Sequence, residues 1–236
     1  MKIEKLFKNI GFSEAQFNKI ELFEQAMVHS SYAQDKNLGK LANNERLEFY
    51  GDSVLKLACS KFLYEKYPEE REGVLSSFRS ILVSDAFLAK YADDIALEDF
   101  LLVSSNRQDL KQKKVKESLK ACAFEALLGA LFIQTSFDIV YDKFLKNFFV
   151  KYISFVKENL DKLNSKATLQ EYTQAQNKIL PVYELVEEKG KDHQREFVVR
   201  VAYMGEEVGR GVGYSKKEAE QVAAYEACIK LGVINE

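Results

Sequence analysis

The spacing of the apolar residues changes near residue 160, and this change constrains the fold more than any other feature of the sequence. From residue 1 to about 157, apolar residues recur at helical intervals, as Leu55, Cys59 and Phe62 do, and no stretch alternates convincingly as a strand would. Farther along, Glu196–Met204 alternates apolar and polar residues, which is typical of a strand with one buried face. The sequence therefore predicts an all-α domain followed by a small α+β domain.

The second domain is predicted to have the order α-β-β-β-α. One helix, three strands and a last helix follow each other over Lys166–Asn177, Pro181–Glu188, Glu196–Met204, Val208–Val212 and Ser215–Leu231. The last helix starts with a capping box, in which the Ser215 side chain meets the amide of Glu218, and Gly232 ends it. The segment ENLDKLNSK before these elements is polar, so we place a linker at residues 158–165, between domains at 1–157 and 166–236.

Composition excludes several classes of protein. The three cysteines are odd in number and widely spaced, which indicates reduced thiols, and two histidines are too few for a histidine-rich zinc site. The longest apolar stretch, Ala121–Gln134, contains Glu125 and is shorter than a membrane span, and the N-terminus lacks a signal-peptide apolar region. We therefore expect a cytoplasmic protein with no membrane partner. Because the net charge is −2, any binding of nucleic acid must come from local patches.

A first acidic cluster lies on the helix predicted to begin after Asn43 and Asn44, whose side chains are suited to capping it. Glu45, Glu48 and Asp52 follow at spacings of three and four, so they share one helix face. Glu48 and Asp52 repel each other unless a cation lies between them. A solvated acidic face is the alternative interpretation, although apolar residues surround the triplet closely.

A second acidic position is Glu125, the only charged residue within Ala121–Gln134. A lone carboxylate there is costly to bury, and the usual solutions are protonation, a partner cation or a metal. A structural glutamate that satisfies a polar group of the core is the alternative. Two acidic helices can satisfy one another by sharing Mg²⁺, which binds carboxylate, water and phosphate oxygens. Such a centre activates water for attack on a phosphodiester and stabilises the leaving oxygen.

Several segments carry a family resemblance. NERLEFYGDSVL at Asn44–Leu55 closely resembles the ribonuclease III signature, and further matches are AMVHSSY, EGVLSSFR and ESLKACAFEALLGALF, which begin at Ala26, Glu72 and Glu117. In the second domain, LQEYTQ, DHQREF and GYSKKEAEQVAA resemble the double-stranded-RNA-binding domain over residues 166–231. The resemblance implies an all-α ribonuclease III nuclease domain joined to a C-terminal double-stranded-RNA-binding domain.

The same resemblance implies an endoribonuclease that hydrolyses both strands of duplex RNA and leaves 5′-phosphate and 3′-hydroxyl ends, as in rRNA and mRNA processing. Glu48, Asp52 and Glu125 match positions that bind the catalytic Mg²⁺, for which Mn²⁺ can substitute. Asp52, Glu125 and Glu45 match positions needed for catalysis. Phe49 matches the position where the family inserts an aromatic side chain into a pocket of the partner subunit, which implies a homodimer.

One position departs from the family pattern. Cys122 stands where the family has an aspartate ligand, three residues before Glu125. A neutral thiol with a pKa of about 8.5 is a poor ligand for a hard cation such as Mg²⁺, so we expect weaker metal binding or a changed metal preference. The alternative function is a catalytically weakened, dimeric double-stranded-RNA-binding protein. Two more residues match family positions: Glu72, near the acidic cleft, and His29, which we interpret as a structural histidine.

The RNA-binding residues are predicted partly from charge and partly from the resemblance. Lys216 and Lys217 lie in the first turn of the last helix, where cations oppose the helix macrodipole, so a phosphate that meets both the lysines and the free amides explains them. Two solvated lysines are the alternative. By resemblance, Gln170, Glu171 and His193 contact ribose hydroxyls or base edges in the minor groove. The lysine-rich stretch 111–116 either adds phosphate contacts or is merely solvated.

Overall fold

The computed structural model describes residues 2–105, 113–190 and 195–234 of the chain. Contacts between residues divide the protein into two compact units, Met1–Ser154 and Phe155–Glu236. This division falls a few residues before the predicted linker, and the domain limits given above stay a prediction.

The N-terminal unit is helical, as the sequence predicts. The helices that begin before residue 160 are α1 (Lys2–Asn9), α2 (Glu21–Ala26), α3 (Ser30–Asp35), α4 (Glu45–Lys66), α5 (Glu72–Leu82), α6 (Asp85–Asp94), α7 (Lys113–Gln134), α8 (Phe137–Val140) and α9 (Lys146–Glu158). Short 3₁₀ turns lie at Glu14–Gln16 and Leu97–Phe100, and a π-helical turn at Tyr141–Leu145 precedes α9. Within the described residues of this unit, β pairing is limited to an isolated bridge between Val28 and Leu102.

Two helices of 22 residues each, α4 and α7, pack with their backbones in contact. A Cβ atom built on Gly51 would lie 1.7 Å from the carbonyl oxygen of Glu125, and one built on Gly129 would lie 2.3 Å from that of Leu47. Only glycine fits at these two points. Because side chains normally hold packed helices 8–10 Å apart, this contact brings the acidic residues of the two helices close together.

An aromatic cluster fixes α6 and α9 against α7. The ring centroids of Tyr91 and Phe124 are 5.6 Å apart, those of Tyr91 and Phe148 are 5.1 Å apart, and those of Phe124 and Phe148 are 5.7 Å apart. All three side chains are buried, so the cluster combines apolar burial with favourable ring contacts. The position of α6 on α7 is therefore set by the core. Over the described residues, no helix is both long and apolar enough to cross a membrane.

The C-terminal unit has the predicted order α-β-β-β-α, preceded by one short helix. Its elements are α10 (Leu160–Leu163), α11 (Ser165–Asn177), β1 (Val182–Lys189), β2 (Glu196–Tyr203), β3 (Glu206–Gly213) and α12 (Lys216–Lys230). The strands form an antiparallel sheet in the order β1-β2-β3. Its core joins Leu169 of α11, Val199 and Val201 of β2 and the alanines of α12, which are all buried.

Alternate glycines of β3 lie directly beneath α12. A Cβ atom at Gly209 would lie 2.3 Å from the carbonyl oxygen of Ala223, and one at Gly211 would lie 2.2 Å from that of Ala219. Both alanines are fully buried. The alternating glycines in this part of the sequence therefore reflect close packing of a helix on a strand.

The segment predicted as a linker, 158–165, is itself ordered. It contains α10, and the buried Ser165 hydroxyl donates to the carbonyl of Asp161 at 2.6 Å. Gln221 of α12 donates to the carbonyl of Leu163 at 3.3 Å and accepts from the amide of Lys166 at 3.0 Å. The side chain of Gln221, distant in sequence, therefore satisfies backbone groups at the start of α11, which polarity alone does not reveal.

Candidate active site and RNA-binding surface

The carboxylates of α4 lie along one face at its N-terminal end. Glu45 is exposed, whereas Glu48 and Asp52 are half-buried. Asn43 sets the start of the helix, because its side-chain oxygen accepts from the amide of Glu45 at 3.3 Å and its side-chain nitrogen donates to the Glu45 carboxylate at 3.0 Å. Of the two asparagines predicted as caps, Asn43 is the one whose side chain hydrogen-bonds the first residue of α4.

Glu125 of α7 lies near this acidic end of α4, where the two backbones touch at Gly51. Its carboxylate is mostly buried, and this burial, together with the charges of Asp52 and Glu48, raises its pKa to about 8. Asp85, the first residue of α6, raises it further. Carboxylates from three helices therefore lie close enough to affect one another's ionisation.

Cys122 lies one turn before Glu125 on α7 and hydrogen-bonds the Glu48 carboxylate. Burial and the charge of Glu48 raise the pKa of the Cys122 thiol to about 12. The thiol is therefore neutral at physiological pH and acts as the donor. Burial also raises the pKa of Glu48, an effect that the hydrogen bond from Cys122 opposes.

Lys56 supplies positive charge beside these carboxylates. Its Nζ lies 2.7 Å from Oδ2 of Asp52, one turn along α4. The pair is partly exposed, and such pairs typically contribute less than about 1 kcal/mol. The charge of Lys56 lowers the pKa of Glu125, but burial and the neighbouring carboxylates outweigh it. One lysine does not balance the acidic group.

The chemistry of this group fits a hard divalent cation. Carboxylate oxygens are the ligands that Mg²⁺ prefers, and a shared cation would offset the burial and the repulsion that together raise the pKa of Glu125. Among the described residues, the carboxylate of Glu125 has no hydrogen-bond or ion-pair partner. In the same ranges, no three acidic, cysteine or histidine side chains already surround one point as metal ligands do. Asp52 is paired with Lys56, and Glu48 accepts a hydrogen bond from Cys122, so both carboxylates already have a partner.

Glu72 and His29, which also match family positions, have local partners. Glu72 accepts from the hydroxyl of Ser76 at 2.6 Å. His29 caps α3, since its Nδ1 accepts from the amide of Ser31 at 3.0 Å, and this agrees with the structural role expected for it. His193 lies outside the described residues, as does the first part of the lysine-rich stretch 111–116.

Phe49 projects from α4 beside the acidic residues. Its side chain is 78% exposed, and the adjacent Tyr50 is 43% exposed. Two neighbouring aromatic rings left in water are typical of a surface that another molecule covers.

The start of α12 has the serine cap predicted for it, but the second bond of the predicted capping box goes to Tyr214 instead of Ser215. The Ser215 hydroxyl accepts from the amide of Glu218 at 3.1 Å, and the Glu218 carboxylate accepts from the amide of Tyr214 at 2.9 Å. Lys216 and Lys217 are exposed in the first turn of this helix. On α11, Gln170 and Glu171 are also exposed. These four side chains are therefore accessible to a ligand.

Fold and site together define a class of protein: a helical nuclease joined to a domain that binds duplex RNA. A family model described as Ribonuclease-III-like matches residues 19–153, and one described as the double-stranded RNA binding motif matches residues 165–231. The chain belongs to the ribonuclease III family and is an endoribonuclease of that type.

Curated relatives resemble the chain over nearly its whole length. A protein named Ribonuclease 3 from Fusobacterium nucleatum is 38% identical over 217 residues, which cover 92% of each chain. Another from Staphylococcus aureus is 37% identical over 222 residues, which cover 94% of this chain and 89% of the relative.

Solved structures resemble the N-terminal unit. The nuclease domain of ribonuclease III from Campylobacter jejuni, at 2.2 Å resolution, matches with a TM-score of 0.54 and 33% identity, covering 64% of this chain and 97% of that one. A second structure of that domain, described for flexibility in a region involved in dimer formation, matches with a TM-score of 0.52 and 32% identity, covering 65% of this chain and 96% of that one.

Proposed function

We propose that this protein cleaves double-stranded RNA as a homodimer, using a divalent metal held by Glu48, Asp52 and Glu125. The observation that carries the proposal is the mostly buried Glu125, whose pKa is raised to about 8 by burial and by neighbouring carboxylates. A carboxylate in these surroundings is stabilised by a cation. Mg²⁺ suits the site because it binds carboxylates, water and phosphate oxygens together, and Mn²⁺ is expected to substitute for it.

The metal, when bound, supplies an activated water for attack on the phosphodiester and stabilises the leaving oxygen. Asp52 and Glu125 would hold it from two helices, and Glu48 would be the third carboxylate ligand. Glu45 lies one turn before Glu48 and is exposed, where its carboxylate can take up a proton from water. Hydrolysis in which the 3′ oxygen is the leaving group gives a 5′-phosphate and a 3′-hydroxyl. Cys122 is a poor ligand, because its thiol is neutral and hydrogen-bonded to Glu48.

The C-terminal domain recognises the shape of the RNA duplex. Domains of this type contact two successive minor grooves and the phosphates between them. Lys216 and Lys217, exposed at the start of α12, are placed to meet phosphates where helix amides also attract anions. Gln170 and Glu171 on α11, together with His193, are proposed to contact ribose hydroxyls or base edges.

Dimerisation through Phe49 would place two such centres along one duplex. The exposure of Phe49 supports this surface, and for the Campylobacter jejuni domain a region involved in dimer formation is described. We further propose that the protein works in the cytoplasm on precursors of rRNA and mRNA.

A cleavage assay on duplex RNA, with Mg²⁺ and Mn²⁺ titrated separately, tests the function. The wild-type protein should cleave, whereas Glu125→Gln should lose cleavage but still bind the duplex, because the exchange removes a charge from the nuclease unit only. Glu14→Gln, the same exchange at an exposed position, should cleave as the wild type does. Duplex binding by wild-type protein without cleavage in either ion would instead support the binding protein that Cys122 favours.

A further inference from the structure

Asp85 is the first residue of α6, a helix that the sequence alone does not associate with the carboxylates of Glu48, Asp52 and Glu125. Helices α4 and α5 are in contact, since Nη1 of Arg79 donates to the hydroxyl of Ser60 at 2.9 Å. They are joined only by the short segment 67–71, and packed helices joined so closely run antiparallel. The C-terminal end of α5 therefore points back toward the acidic end of α4.

The turn after α5 places Asp85 at that end. The Ser84 hydroxyl donates to the carbonyl of Ile81 at 2.7 Å, and α6 begins at the next residue, Asp85. At 1.5 Å of rise per residue, α5 runs about 4.5 Å from Arg79 to its last residue, and Asp85 follows three residues later; Asp52 lies about 12 Å from Ser60 in the same direction. Asp85 and Asp52 therefore lie on the same side of the contact between Arg79 and Ser60.

The packing of α6 on α7 brings Asp85 near the other acidic residues as well. Tyr91 contacts Phe124, and Asp93 pairs with Nζ of Lys120 at 2.6 Å, so α6 is held along α7. After burial, which is the largest cause in each case, the charge of Asp85 contributes to the raised pKa of Glu48, Cys122 and Glu125. The Asp85 side chain is itself exposed, so it can turn toward a ligand in the cleft.

We propose that Asp85 is an additional acidic residue of the metal centre and supplies the negative charge that Cys122 does not. The proposal rests on the metal site proposed above. Its carboxylate would contact the ion directly or through one of the water molecules that Mg²⁺ retains. The centre then has four carboxylates, contributed by Glu48, Asp52, Glu125 and Asp85, and the fourth comes from α6 instead of α7.

Calorimetric titration of the full-length protein with Mn²⁺ alone, without RNA, tests the role of Asp85. We expect Asp85→Asn to weaken Mn²⁺ binding by about tenfold or more, the range found for residues that support a metal site. Asp85→Glu, which keeps the charge, should retain most of the affinity. Asp138→Asn, which removes the same charge from an exposed position on α8, should bind as the wild type does. Unchanged melting temperatures establish that all variants fold.

The same substitution made in a Cys122→Asp variant shows whether Asp85 replaces the charge missing at position 122 or only adds to the overall negative charge of the site. In Cys122→Asp the usual carboxylate is restored, so adding Asp85→Asn should weaken Mn²⁺ binding less than it does in the wild type. Equal losses in both backgrounds, or no loss in either, would overturn the proposal for Asp85. If the wild type cleaves duplex RNA while Asp85→Asn binds Mn²⁺ normally, only this inference fails. If the wild type neither binds Mn²⁺ nor cleaves, the proposed function fails with it.

Discussion

The shifted ionisation of Glu125 makes the stability of the metal-free protein depend on pH. Its pKa is raised from the usual 4.5 to about 8, chiefly by burial. Between these values the folded protein keeps a proton that the unfolded chain releases, so protonation favours the folded state. The free energy of unfolding therefore falls as the pH rises from about 4.5 to about 8, and levels off above that range.

Glu125→Gln should remove this fall in the free energy of unfolding with rising pH, because the amide has no charge to bury. In the presence of a chelator at pH 8, we expect the variant to be more stable than the wild type by about 1 to 3 kcal/mol, and at pH 5 to be nearly equal to it. Urea unfolding at the two pH values measures the difference. Glu14→Gln should show no gain, and an unchanged pH dependence in Glu125→Gln would contradict the assigned burial.

The neutral thiol at position 122 should set the metal requirement of cleavage. Cys122→Asp adds a carboxylate beside Glu48 and Glu125, so we expect cleavage to reach half its maximal rate at an Mg²⁺ concentration lower by about tenfold. The wild type should need less Mn²⁺ than Mg²⁺, because Mn²⁺ tolerates mixed ligands better. Cys122→Ser, which stays neutral, should resemble the wild type. An Mg²⁺ titration that Cys122→Asp leaves unchanged would mean that position 122 is not a ligand.

At the scale of the elements, the contact between α4 and α7 is the most sensitive to a single added methyl group. Gly51→Ala would place a Cβ atom 1.7 Å from a carbonyl oxygen of α7, so the helices must separate. We expect a loss of about 3 kcal/mol or more in the free energy of unfolding. Gly73→Ala is the matched control, because its Cβ would meet nothing within 4 Å on α5 and alanine favours the helix by up to about 1 kcal/mol.

The first turn of α12 should supply salt-dependent binding without sequence preference. We expect Lys216→Ala with Lys217→Ala to weaken duplex binding similarly across RNA sequences and to reduce the slope of log affinity against log salt by about two. Fluorescence anisotropy at several salt concentrations measures this slope. Lys162→Ala with Lys189→Ala removes two exposed charges elsewhere in the same unit and should leave the slope nearly unchanged.

Periodicity predicts the elements well where burial decides them. The order α-β-β-β-α and the cap at Ser215 are confirmed because alternation and capping are local patterns. Residues 158–165 are predicted as a linker from their polarity alone. Their contact with Gln221 joins residues distant in sequence, so a local pattern cannot reveal it. Asp85 escapes prediction for a related reason: an acidic residue in the first turn of a helix is ordinary, and only the fold brings it to Glu125.

At the scale of the whole molecule, the exposed ring of Phe49 marks the surface proposed above for dimerisation. Phe49 is 78% exposed, and Phe49→Ala should shift the protein toward monomers and reduce cleavage. Sedimentation at micromolar concentration measures the association. Tyr64→Ala on the same helix is a close control, since Tyr64 is 76% exposed. A dimer that survives Phe49→Ala but not Tyr64→Ala would place the interface farther along α4.

The glycine contact between α4 and α7 has a consequence for how heat inactivates this protein. At Gly51 and Gly129 no side chain separates the two backbones, so rotamer changes cannot alter the spacing of the helices there. Asp52 follows Gly51 directly in α4, and the carbonyl oxygen of Glu125 is the atom that a Cβ on Gly51 would meet. A partly melted core, with loosened side chains but intact helix packing, would still hold in place the backbone segments that carry both carboxylates. The proposed metal centre should therefore be among the last features to be lost on warming, and its loss should coincide with separation of the two helices.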